Sequence, residues 1–127
     1  GALNPAIAWE HDRRGNYMQT PIVVGDVLYA CNDLGLVTAF DARTGNVHYS
    51  ERLAKRNEGF TASPVSDGRH LYFTSELGNV YLVPVGTRFS VAATNELGED
   101  TLASPAVAGG TLFFRTRDRI VAVGPRP

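Results

Sequence analysis

One cysteine, one tryptophan and one methionine stand among the 127 residues. A lone Cys31 forms no internal disulfide and offers no thiolate cluster for zinc. Flanked by apolar residues, it reads as a small buried hydrophobe. Charge of one sign is equally scarce: 12 Lys and Arg against 13 Asp and Glu leave a net −1. Without a basic surplus to hold a phosphate backbone, nucleic acid is not an expected partner. Apolar runs stop at about five residues, far short of the ~20 a spanning helix needs, so no membrane span is expected. No basic stretch leading into an apolar core opens the sequence, and no signal peptide is read there. No segment keeps a 3.6-residue apolar period, which argues against helices. Nucleophile-elbow, P-loop and Gly-x-Gly-x-x-Gly patterns are missing as well.

What the chain does have is itself, repeated. Thr20-Pro21, Ser63-Pro64 and Ser104-Pro105 open three similar units, with prolines 43 and 41 residues apart. Leu28-Tyr29, Leu71-Tyr72 and Leu112-Phe113 keep the same intervals. Gly35 to Phe40, Gly78 to Val83 and Asp118 to Val123 match farther on. Such a period marks a repeat architecture. Within each unit, Gly25-Asp26, Asp67-Gly68 and Gly109-Gly110 supply the turn chemistry of two-residue hairpins. Val, Ile, Tyr, Phe and Thr dominate the runs between the turns, as pleated strands prefer. In the turn Asp41-Ala-Arg-Thr-Gly45, the Asp41 carboxylate is placed to cap nearby amides before an outer strand resumes at Asn46.

Val27 to Cys31, Leu71 to Phe73 and Leu112 to Phe114 are apolar on consecutive residues. Side chains alternate between faces, so such strands need cover on both sides. Four-stranded units about 42 residues long, covered front and back, are the blades of a β-propeller rather than halves of a sandwich. The expected fold is therefore all-β, with blades of four antiparallel strands. We place an outer strand at 5–11, blades at 17–54 and 60–97, and a partial blade at 101–124, twelve strands in all, with the second unit's outer strand at Phe89 to Thr94. Closed rings need about 4–8 blades, so three make a partial propeller. Either it belongs to a longer one, the reading we favour, or several copies complete a ring between them.

These residues resemble the PQQ-like (quinoprotein-type) β-propeller repeat family. Ala39-Phe-Asp-Ala-Arg-Thr-Gly45 with Tyr49 matches the family's turn motif, with Tyr where Trp is usual. Ala6-Ile-Ala-Trp9-Glu10 looks like the outer strand of a preceding blade with its Trp intact. The likeness runs from Trp9 to Val123, and the second unit lacks the turn motif. Some members are dehydrogenases that hold pyrroloquinoline quinone and Ca²⁺ with adjacent cysteines, a Trp floor and a Glu/Asn/Asp set. This sequence has no Cys-Cys pair and only Trp9, in an outer strand. Other members include an outer-membrane assembly lipoprotein that binds its partners through propeller loops, which implies an extracytoplasmic location.

His11, His48 and His70 fall in different units at no metal-ligand spacing and read as solvent-facing or loop residues. Asn32-Asp33 and Ser75-Glu76 occupy equivalent turns and read as turn polarity rather than a cation site. The aromatics at repeat positions are blade packing before they are ligand contacts. Arg13-Arg14 reads as a solvated loop. No catalytic residue, metal ligand or cofactor ligand is expected; PQQ and Ca²⁺ enter only if the chain is a piece of a quinoprotein dehydrogenase with its site elsewhere. The candidate interaction residues are Tyr17 and Phe60, in loops leading into innermost strands, and Arg115 and Arg117, in the last strand-to-strand turn. The expected role is a non-catalytic scaffold for protein partners, with self-association as one way to complete the ring.

Overall fold

The computed structural model describes residues 6–12 and 15–125. Position 5, where the outer strand is expected to begin, and Arg13 and Arg14 lie outside the described residues. Eleven strands and no helix are found among those described. They form three antiparallel sheets in chain order. The first holds β1 (Ile22–Val24), β2 (Val27–Cys31), β3 (Leu36–Asp41) and β4 (Val47–Arg52). The second holds β5 (Val65–Ser66), β6 (His70–Thr74), β7 (Asn79–Pro84) and β8 (Ala93–Glu96). The third has three strands, β9 (Ala106–Ala108), β10 (Thr111–Arg115) and β11 (Ile120–Val123).

Local chemistry sets the turns. Gly25, Gly68, Gly109 and Gly110 take positive φ in the β1–β2, β5–β6 and β9–β10 connections. Asp41 Oδ1 accepts from the amides of Arg43 and Thr44, both at 2.9 Å, and the Gly45 amide donates to Asp41 O at 2.9 Å. These bonds reverse the chain into β4 and, beginning with the one from Thr44, hold the Asp41 carboxyl below its usual range.

Register then decides the two faces of each sheet. Tyr29 pairs with Ala39 and Cys31 with Val37, which sends these four toward the second sheet. Leu71, Phe73, Tyr81 and Val83 meet them there in one buried cluster. On its other face the second sheet turns Tyr72, Val80 and Leu82 onto Leu112, Phe114 and Val121 of the third. The middle sheet is thus covered front and back, as its consecutive apolar residues require. The Tyr29 hydroxyl ties the first two sheets together by donating to Gly86 O at 3.1 Å and accepting from Gly86 N at 2.8 Å.

Two strand placements need correction. Residues 6–11 form no strand; a ladder needs a neighbour, and none lies beside this segment among the described residues. Its Trp9 instead lies on Phe40, ring centroids 5.6 Å apart, with Trp9 Nε1 donating to Ala42 O at 3.0 Å. The second unit's outer strand begins at Ala93, later than Phe89. Phe89 is drawn inward onto Tyr49, ring centroids 5.4 Å apart, and pairing with β7 starts only where the Ala92 amide reaches Leu82 O at 2.8 Å.

Candidate functional site

The segments leading into each unit and the turns after β2, β6 and β10 meet at one end of the sheets. Backbone bonds stitch them in alternation. Phe60 N donates to Asp33 O, Glu76 N to Gly59 O, Thr101 N to Glu76 O and Arg117 N to Asp100 O, all at 2.8–3.0 Å. A second line of bonds runs alongside: Thr20 N donates to Ser63 Oγ and Ser63 N to Ser104 Oγ, each at 2.8 Å. The hydroxyl of each Ser-Pro pair therefore takes the amide of the pair before it. This accounts for the serines in front of Pro64 and Pro105.

The rim so built is firm underneath. Tyr81 Oη donates to Glu58 Oε1 at 2.7 Å, and Asn79 Nδ2 to Glu58 Oε2 at 3.2 Å. Burial alone would raise the Glu58 pKa; hydrogen bonds from Tyr81, Ser75 and Asn79 outweigh it and leave the carboxyl below its usual value. The phenol of Tyr81 is pushed upward, first by burial and then by Glu58. Thr61 Oγ1 donates to Glu76 Oε1 at 2.6 Å. Glu99 accepts from Thr116 Oγ1 at 2.7 Å and pairs with Arg119 at 2.7 Å, and its carboxyl too is held low, Thr116 contributing most.

Above this frame the surface is mixed. Leu34 and Leu77 stand at equivalent turn positions with most of their side chains in water, and Leu102 is 65% exposed. A cleft of about 480 Å³ lies between the second and third units, lined by Glu76, Asp100, Leu102, Arg115 and Arg117 among others. Arg115 and Arg117 thus share one cleft. Arg115 Nη1 donates to the Thr116 and Arg117 carbonyls, which fixes its guanidinium at the lip.

Tyr17 and Phe60 part company. Tyr17 is 84% exposed, whereas Phe60 is 1% exposed and lies in the cluster between the first and second sheets. Phe60 is therefore no interaction side chain. Its ring sits over the Gly35 turn so closely that a Cβ on Gly35 would come within 2.5 Å of it. Gly35 and Gly78 at matching turn positions were the available signal, since glycine often marks a close approach. Leu34, Leu77 and Leu102 were missed because single apolar residues in polar turns carry no periodic pattern.

Among the described residues no three His, Cys, Asp or Glu side chains gather as metal ligands. Asn32 Oδ1 accepts from the Leu34 and Leu36 amides at 3.0 and 2.9 Å, and Ser75 Oγ from Asn79 N at 3.1 Å. These are turn-forming contacts. Burial, and then Asp33, lifts the Cys31 thiol to about 12, so it is no nucleophile.

Comparison with known proteins places these features. Residues 4–88 match the family described as outer membrane protein assembly factor BamB. The BamB of Shewanella oneidensis is 29% identical over 104 residues, 82% of this chain and 25% of the relative. That of Escherichia coli is 28% identical over 103 residues, 81% of this chain and 25% of the relative. The chain spans about a quarter of the length of these curated relatives. The crystal structure of BamB from Moraxella catarrhalis superposes with a TM-score of 0.65 at 16% identity, covering 82% of this chain and 32% of that one. The shared fold is the propeller blade. No helix among the described residues is long and apolar enough to cross a membrane.

Proposed function

From the premise that the chain belongs to the PQQ-like repeat family described as outer membrane protein assembly factor BamB, we propose that it is a non-catalytic β-propeller scaffold. It binds a protein of the bacterial envelope through the rim where the turns and lead-in segments meet, on the extracytoplasmic side. The observation that carries this reading is the rim itself. Solvent-facing Leu102 shares a cleft with Glu76, Asp100, Arg115 and Arg117, and Leu34 and Leu77 are exposed on turns of the same hydrogen-bonded frame. Apolar anchors among charged and polar neighbours are what protein interfaces use. Exposed leucines on rigid turns bind without first losing much backbone freedom.

A quinone and calcium do not fit the residues described. The only thiol is buried and single, and the only indole is committed to Phe40 and the Ala42 carbonyl. With no such set to bind them, we assign the segment neither cofactor.

The chain, immobilised and offered outer-membrane assembly components solubilised from a bacterial envelope, is expected to retain one of them. Leu102→Asp combined with Arg117→Glu is expected to lower retention at least tenfold while leaving the fold's circular dichroism unchanged. Equal retention by the variant would remove the rim from the reading. Absence of any capture would remove the scaffold role. Dye-linked alcohol oxidation by the chain supplied with PQQ and Ca²⁺ would favour the dehydrogenase instead.

A further inference from the structure

The two joints between sheets are not filled alike. At the first, Tyr29 is fully buried and reaches across to Gly86 with its hydroxyl. Tyr49, opposite Ala39 in the ladder, adds a second ring by lying on Phe89, centroids 5.4 Å apart. At the second joint neither ring crosses. Tyr72, which follows Leu71 as Tyr29 follows Leu28, turns back to its own hairpin and donates to Asp67 Oδ2 at 2.8 Å. The place opposite Leu82 is held by Ala93, which has no ring to give. Leu82 and Ala39 are matching positions, since each follows its turn glycine, Gly78 or Gly35, at the same interval.

The space left is a cavity of about 350 Å³ between the second and third sheets. Val80, Leu82 and Leu97 wall it on one side, Leu112, Phe114 and Val123 on the other. Both walls lie inside the chain, on the faces by which these two sheets meet. None of its lining residues belongs to the rim cleft. Among the described residues Asp67 is the one charged side chain that lines it, with Tyr72 and Asn95 as further polar groups. Hydrogen bonds, led by that from the His70 amide, bring the Asp67 carboxyl down to about 2, so it is ionised at neutral pH. Its Oδ2 accepts from the Tyr72 hydroxyl and keeps a lone pair for another donor.

Mostly apolar cavities of this size with a few polar groups are where small molecules bind. Space lined by aliphatic and aromatic side chains takes up a hydrocarbon ring without giving up well-bound water. A single negative charge at the wall repels anions and matches a cation. We propose that this cavity binds a small apolar amine, its hydrocarbon body between the two sheets and its ammonium on Asp67. Burial of the ring supplies most of the affinity, and Asp67 supplies the preference for positive charge, because an ion pair that water reaches contributes modestly.

Phenethylamine and phenethyl alcohol share a hydrocarbon body and differ in charge, which suits them as probes in an amide NMR titration of the whole chain. The amine is expected to shift β6, β7 and β10 amides saturably and to bind about fivefold tighter than the alcohol at low salt. That gap should narrow at high salt, where the ion pair is screened. Asp67→Asn is expected to close the gap while leaving alcohol binding as it was. Ala93→Tyr, at an exposed outer-strand position, supplies the ring that the first joint has. It is expected to weaken both probes at least tenfold with the circular dichroism unchanged. Absence of any saturable shift with the amine would overturn the proposal. So would equal binding of the two probes, shifts confined to the rim, or undiminished binding by Ala93→Tyr.

Discussion

Asp67 gathers most of the polar work of its hairpin into one side chain. Its Oδ1 accepts from the amides of His70 at 2.8 Å and Arg69 at 2.9 Å, and its Oδ2 from the Tyr72 hydroxyl at 2.8 Å. These bonds, led by that from His70, bring the carboxyl down to about 2, while burial and the Asp67 hydrogen bond lift Tyr72 to about 12. The folded-state pKa of Asp67 lies below the unfolded one, so its contribution is complete above about pH 4 and is lost as pH falls toward 2. For Tyr72 the folded value is the higher, so its contribution is complete below about pH 10 and is lost as pH rises toward 12. Asp67→Asn is therefore expected to flatten the acid side of a melting-temperature-against-pH curve; an unchanged acid limb would detach the turn from acid stability. Cys31 supplies a second residue-scale test. With the thiol at about 12 and 1% exposed, it is expected to react with a disulfide reagent at pH 8 only after unfolding. Rapid labelling of the native chain would show that the space between the first two sheets opens readily.

Between elements, the contact that matters most is the Phe60 ring against the Gly35 turn. Gly35 has φ +77 and no room for a Cβ. Phe60→Ala removes a fully buried ring from between two sheets and is expected to lower unfolding free energy by about 3–5 kcal/mol in urea titration. Gly35→Ala suffers both left-handed strain and collision with the ring; in a Phe60→Ala background only the strain remains, so the double variant should cost less than the sum. Strict additivity would mean that the ring and the turn do not press on each other. Much of this level was legible beforehand. Paired turn glycines and runs of consecutive apolar residues locate the hairpins and the two-faced sheets, because turn chemistry and side-chain alternation are local. Non-local partners were not legible. Phe60 looked like a loop aromatic because its burial depends on a turn some 25 residues earlier in sequence. The serines announced a repeat without revealing that each hydroxyl serves the preceding unit. Residues 6–11 have strand composition, yet a strand also needs an edge to pair with.

Taken as a whole molecule, the chain is a short array in which each sheet touches only its neighbours, so stability approximates a sum of units and interfaces. The second sheet has two interfaces and each end sheet has one. The ends are not equal either. The first sheet shares an eleven-residue buried cluster with the second, and Trp9 and His11 cover its Phe40 side. The third sheet shares a cluster of three buried residues, and β9 is exposed along its whole length. Local opening follows such differences, because a unit with few buried contacts unfolds at less free energy than the global transition. Amide hydrogen exchange under native conditions at dilute concentration is therefore expected to be fastest in β9 and β11, slower in β2 and β3, and slowest in β6 and β7. Equal protection of β11 and β7 in a dilute monomer would mean that the third sheet draws stability from a source other than its packing on the second.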